Sequence, residues 1–275
     1  MLARIFAPIV VGLGFVTALV FAILFTPHDA AQPNVVEEFH KDPKAIHYAS
    51  DGPLGKFDRQ QLQRGFQVYQ EVCSACHSIR LVHFRDLEEI GFTKPEVKAI
   101  AKQYKIEQPS INPDTGEATT RKNLPSDPIP WNFANEIAAR AANNNALPPD
   151  LSLMVKAREG GAPYIYSLLT GFAPVPANLP ASNRPAPNLH YNPYFANLNI
   201  AMPPPLTADG QVEYSDGTKA TVDQMARDVS AFLIWTAEPK LEARHRAGIG
   251  VVIFLLIATV LAYMSYRNIW AGKKH

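Results

Sequence analysis

Hydrophobic and polar positions divide these 275 residues into three regimes. Two runs without a charged residue, 5–25 and 248–266, are each about long enough to cross a hydrocarbon core as a helix. Between them, short stretches of helical spacing alternate with proline-rich segments. Leu62, Phe66, Tyr69 and Cys73 recur on one face, behind Asp58 as a cap and Gln61 three residues on. Thr93-Lys94-Pro95-Glu96 is a second capping box, ahead of Val97, Ile100, Ala101 and Tyr104. An alanine-rich stretch runs through Arg140. A helix is expected over 153–158, capped by Asp150 or Ser152 and stopped by Gly160-Gly161, and 164–170 reads as helical or extended. Thr221 opens a strongly amphipathic helix with Val222, Met225, Val229, Phe232 and Leu233 inward, and Glu238-Pro239 closes it. Residues 108–127, with three prolines and an Asn112-Pro113-Asp114-Thr115-Gly116 turn, read as a loop, and 171–187 as another. The pattern predicts a mainly α fold with long Pro-rich loop insertions, a carboxy-terminal transmembrane helix and a possible amino-terminal one.

Flanking residues refine the ends. Tyr263, Tyr266, Arg267, Trp270, Lys273 and Lys274 surround the end of the second run, as expected at a membrane interface. The first run follows Arg4 and precedes Asp29-Ala30-Ala31, so it fits a signal peptide, while its length suits a retained anchor. The expected boundaries are 1–31 for signal peptide or amino-terminal transmembrane anchor, 32–245 for an exported domain, 246–268 for a transmembrane helix and 269–275 for a tail.

Lys and Arg total 26 and Asp and Glu 25, but six of the basic residues flank the apolar runs. The middle of the chain is therefore net acidic, which argues against nucleic acid and for a basic protein partner. Charge does not orient the chain, since Lys240, Arg244 and Arg246 precede the second run while Arg267, Lys273 and Lys274 follow it.

The chain's only two cysteines lie in Cys73-Ser74-Ala75-Cys76-His77, the attachment signal for a c-type haem. Two thiols on one helical face can form thioethers to the haem vinyl groups, and His77 follows as proximal iron ligand. A structural zinc site would have to recruit scattered histidines. A thioredoxin-like pair would want a strand-helix-strand setting that the pattern lacks. Covalent haem is attached outside the cytoplasm, which places the exported domain in the periplasm.

A second axial ligand must then be found. Methionine suits an electron-transfer haem because its soft thioether favours reduced iron. Met225 lies on an apolar helix face and reads as core, and nothing presents Met154. Met202 precedes Pro203-Pro204-Pro205, which stiffens its loop, and is the preferred ligand. His40, His47, His83 and His190 are competitors.

Several stretches together resemble the cytochrome c1 family. They are 64–78 around the haem motif, Ala138-Ala139-Arg140-Ala141-Ala142-Asn143-Asn144, Ala146-Leu147-Pro148-Pro149-Asp150-Leu151-Ser152, Tyr166-Ser167-Leu168-Leu169-Thr170-Gly171, Asn192-Pro193-Tyr194-Phe195 and Ile200-Ala201-Met202-Pro203-Pro204. The resemblance covers about 58–270. It implies one covalent haem c on Cys73 and Cys76, His77 and Met202 as axial ligands, Arg140 as a haem-propionate contact, and an anchor in the bacterial inner membrane with a cytoplasmic tail. It implies cytochrome b, a Rieske iron–sulfur protein and cytochrome c as partners in a dimeric quinol:cytochrome c reductase, surrounded by membrane lipid. Some bacterial members carry a further cysteine pair that is missing here, so loop rigidity falls to proline and packing. The expected role is one-electron transfer from the Rieske protein to cytochrome c, with no substrate bond broken by this chain. A membrane-anchored cytochrome feeding a terminal oxidase is one alternative. A haem peroxidase or sensor with a displaceable methionine is another.

Overall fold

The computed structural model describes residues 2–25 and 34–272. The Asp29-Ala30-Ala31 segment and Lys273-Lys274 lie outside the described residues. Residues up to Glu38 form one compact unit and those from Phe39 a second. The first is dominated by α1 (Leu2–Phe25), which carries no charge after Arg4, and the short α2 (Val35–Phe39) follows.

The second unit is built on α3 (Arg59–Glu71). Asp58 Oδ1 caps it, accepting from the N–H of Gln60 at 3.0 Å and of Gln61 at 3.2 Å. The Gln61 side chain does not return to that cap; it donates to Asp228 instead. Leu62, Phe66 and Tyr69 are buried as their spacing predicts, but the α-helix ends at Glu71 and Cys73 begins a separate 3-10 turn.

After the 3-10 segment Phe84–Ile90 comes α4 (Lys94–Gln103), where Thr93 and Glu96 form the expected reciprocal box. The supposed loop 108–127 contains an antiparallel hairpin, β1 (Gln108–Ile111) and β2 (Ala118–Arg121), with Gln108 opposite Arg121. Its strands are largely exposed, so they leave no alternation of apolar residues to read. Asn135 caps α5 (Glu136–Ala142), and α6 (Met154–Ala157) is a single turn without a side-chain cap. Asp150 and Ser152, expected to cap it, are engaged elsewhere. Residues 164–169 resolve as helix within α7 (Gly161–Leu169), with Thr170 as its cap. A two-residue pair, β3 (His190–Tyr191) and β4 (Asn199–Ile200), precedes α8 (Val222–Ala237).

Helices α3 and α8 form the centre of the core. The rings of Phe66 and Tyr69 pack against Phe232 at 5.7 and 5.9 Å, and Phe232 against Trp235 at 5.6 Å. Each such buried ring contributes about 1.5–3 kcal/mol. The helices touch closely at Gly65, where an added Cβ would lie 2.1 Å from the Asp228 carbonyl oxygen. Beside that contact the fully buried Asp228 carboxylate accepts from Arg64 Nε at 2.9 Å, Gln61 Nε2 at 3.1 Å and Gln224 Nε2 at 2.8 Å. Met225 and Met154 are both buried in this core, the former with no exposed surface.

From its elbow at Pro239 the chain runs into α9 (Leu241–Trp270). From Ile249 to Tyr266 its large apolar side chains are exposed on every face, with a mean hydropathy of 2.5 over the most apolar window. A helix apolar all round finds its solvent in lipid. This one is long and apolar enough to cross a membrane.

Candidate haem-binding site

Where α3 ends, the backbone tightens so that the N–H groups of Cys76 and His77 both donate to the Cys73 carbonyl, at 3.1 and 2.9 Å. The haem motif is thus a 3-10 turn rather than part of a helical face. Both thiols are free and half-buried. Burial pushes the Cys73 thiol up to about 12 and raises Cys76 as well, so both are neutral at pH 7.

His77 Nδ1 lies 2.8 Å from the Pro149 carbonyl oxygen. A carbonyl only accepts, so Nδ1 carries the proton and Nε2 keeps its lone pair for a metal. Burial holds the ring below its ordinary 6.5 against the pull of that hydrogen bond, so the imidazole is neutral. Two neutral thiols and one imidazole lone pair on a five-residue turn fit a covalently held haem. Among the described residues no three of His, Cys, Asp and Glu gather as a metal cluster, which leaves the zinc reading without a ligand set.

The turn is clamped from outside. Tyr69 Oη donates to the His77 carbonyl at 3.0 Å, Trp131 Nε1 to that of Cys76 at 2.9 Å, and Asn132 Nδ2 to that of Ala75 at 2.9 Å. Asp150 fastens the loop that carries Pro149: its carboxylate accepts from Ser78 Oγ at 2.6 Å, Arg80 N–H at 2.9 Å and Ser152 N–H at 3.0 Å. Burial alone would raise the Asp150 carboxyl, but these donors outweigh it and hold it below 3.8. A depressed carboxyl adds stability that is complete above about pH 4 and is lost as pH falls through its folded value. Asp150→Ala should lower stability at pH 7 by about 2 kcal/mol. In urea titrations the gap to the parent should narrow below pH 4, and a gap constant down to pH 2 would refute this account.

Of the other expected site residues, Met202 is half-buried in the turn after β4, and Arg140 is exposed on α5, its Nη1 donating to the Asn145 carbonyl at 3.1 Å. Neither belongs to the hydrogen-bond network around the motif. Trp131, Asn132 and the Pro149 carbonyl do, and sequence reasoning assigned them no role.

Fold and site define the chain as a helical haem-bearing cytochrome with a membrane-length helix towards its carboxy-terminal end. The profile of the cytochrome C1 family matches residues 48–273. The chain is 44% identical over 236 residues to "Cytochrome c1" of Rhodospirillum rubrum, covering 82% of this chain and 86% of that one. It is 46% identical over 231 residues to "Cytochrome c1, heme protein, mitochondrial" of Saccharomyces cerevisiae, covering 84% and 72%. Against "Cytochrome b/c1" of Bradyrhizobium diazoefficiens the identity is 42% over 253 residues, covering 83% of this chain and 36% of that one. The chain belongs to the cytochrome c1 family, the haem-bearing electron-transfer subunits of the bc1 complex.

Proposed function

We propose that this chain carries one haem c through thioethers at Cys73 and Cys76, with His77 and Met202 as axial ligands, and relays single electrons from a Rieske iron–sulfur protein to a cytochrome c. The observation that carries the reading is the His77 ring, fixed on the Pro149 carbonyl with Nε2 left for iron. When bound, a haem with His/Met ligation supplies a one-electron couple of raised potential. The chain's own work is to hold that couple still. Pro149 sets the His77 tautomer, and Trp131 and Asn132 fix the turn bearing the thiols. The three prolines after Met202 stiffen its approach. Arg140, exposed and cationic, suits a propionate.

In this reading 1–31 is a signal peptide or anchor, 32–245 a periplasmic domain, 246–268 a span of the bacterial inner membrane and 269–275 a cytoplasmic tail. Cytochrome b and a Rieske protein are its neighbours in a dimeric complex. The acidic balance of the periplasmic domain speeds encounter with a basic cytochrome c, and the rate falls as salt rises.

The test is a Met202→Leu variant in membranes. Reduced-minus-oxidised spectra should lose the low-spin methionine signature, carbon monoxide should bind the reduced haem, and quinol-driven cytochrome c reduction should fall by about 100-fold or more. Unchanged spectrum and turnover would make Met202 structural and return the ligand search to the histidines. Carbon monoxide binding by the parent would favour the peroxidase or sensor.

A further inference from the structure

At the elbow between α8 and α9 lies a cavity of about 300 Å³, lined by Arg59, Glu89, Trp235, Lys240, Glu242 and Arg246 among others. None of the motif residues lines it, and the electron-transfer role makes no use of it. Glu242 is already engaged there, accepting from the Phe57 N–H at 2.8 Å and from Arg59 Nη2 at 3.1 Å. Glu238, just before the elbow, is likewise taken, by Lys156 at 3.0 Å and Arg244 at 2.6 Å. Among the described residues Lys240, Arg246 and Glu89 have no ion pair, and all three are exposed. Trp235 is 1% exposed, yet its indole N–H has no acceptor. A buried donor left unpaired is costly enough that native folds rarely keep one without a partner. The first turn of α9 adds the positive end of a 30-residue helix with no side-chain cap.

The cavity's depth names the ligand. Arg246 stands two residues before the apolar run 248–266 and three before Ile249, the first large side chain of the exposed stripe. At a rise of about 1.5 Å per residue it lies within one turn of the hydrocarbon boundary, where headgroups sit. We infer that this cavity binds the headgroup of a zwitterionic phospholipid of the phosphatidylethanolamine class. The phosphodiester is recognised by Lys240, Arg246 and the Trp235 N–H, and the ammonium by Glu89. A free phosphate would satisfy the cations but leave Glu89 facing an anion.

The inference rests on α9 crossing the membrane, so its test begins there. Membranes are washed in alkaline carbonate; release of the chain would overturn both the anchoring and the site. The retained complex is then purified in mild detergent and placed in phosphatidylethanolamine vesicles doped with a photoactivatable analogue. Labelling of the peptide spanning 235–246 is measured, with haem content as the check on folding. The K240Q/R246Q pair should lose about tenfold in labelling, and W235F, which keeps the ring and removes the donor, severalfold. E89Q should let a phosphatidylglycerol analogue label as well as the ethanolamine one. Equal labelling in parent and variants would overturn the site while leaving the anchor intact. Displacement of the label by inorganic phosphate would show a free-anion site and overturn the lipid assignment.

Discussion

Gly65→Ala should abolish the folded haem domain. The new methyl would stand 2.1 Å from the Asp228 carbonyl oxygen, 2.6 Å from Phe232 Cβ and 2.7 Å from the Asp228 carbonyl carbon. Two of these three atoms are backbone of α8, so no rotamer change relieves the contact and the helices must part. Overpacking by one methylene costs about 1–3 kcal/mol where side chains can give way. Here separation also loosens Phe66, Tyr69, Phe232 and Trp235, and the total should exceed about 4 kcal/mol, a large part of a domain's 5–15. Membranes of the variant should hold little of the chain in haem-stained gels after proteolysis. Parent-like accumulation would mean that α3 and α8 pack differently from this account.

Asp228→Leu should cost about 3–5 kcal/mol, the penalty for removing one member of a buried ion pair. Arg64, whose side chain is 15% exposed, would keep Asp216 at 2.7 Å but lose the acceptor on its inner side. Gln61 and Gln224 would lose the acceptor they share. Arg64→Met in the same chain should recover part of the loss, because the buried side of the guanidinium, left facing a leucine, adds to the missing attraction. Urea midpoints of the two single variants and the double close the cycle, and additive losses would contradict the coupling.

What was legible beforehand follows from range. Helices α3, α4 and α8 were readable because each buries one stripe and carries its own cap in Asp58, Thr93 or Thr221. Helix α9 was readable from its composition alone. The hairpin β1–β2 was not, since two exposed strands show no period. Placing Cys73 on the α3 face failed for a local reason: the helix closes at Glu71 so that the Cys73 carbonyl can take two amides in a tighter turn. At the site, a five-residue motif pointed to haem, and the family match agrees with a haem-bearing chain. Apart from Tyr69, the motif's supports lie 55 to 72 residues away in sequence, and no spacing rule links Trp131 to Cys76 or Pro149 to His77. Asp150 was misassigned to a helix cap because it does cap something, the turn through Ser78 and Arg80 rather than α6.

The direction of those distant supports bears on biosynthesis. Trp131, Asn132 and Pro149 all follow the motif in the chain, so with the domain exported as proposed the cysteines clear the membrane before the residues that clamp them. A chain that stops short of Trp131 lacks the donor to the Cys76 carbonyl and the Pro149 acceptor that fixes the His77 tautomer. In the proposed reading the thiols are open while the haem is attached, and the turn is clamped afterwards. A circular permutant beginning near residue 125 would reverse that sequence of events, closing the turn first. In the proposed reading, chain order thus also serves as a timetable for maturation.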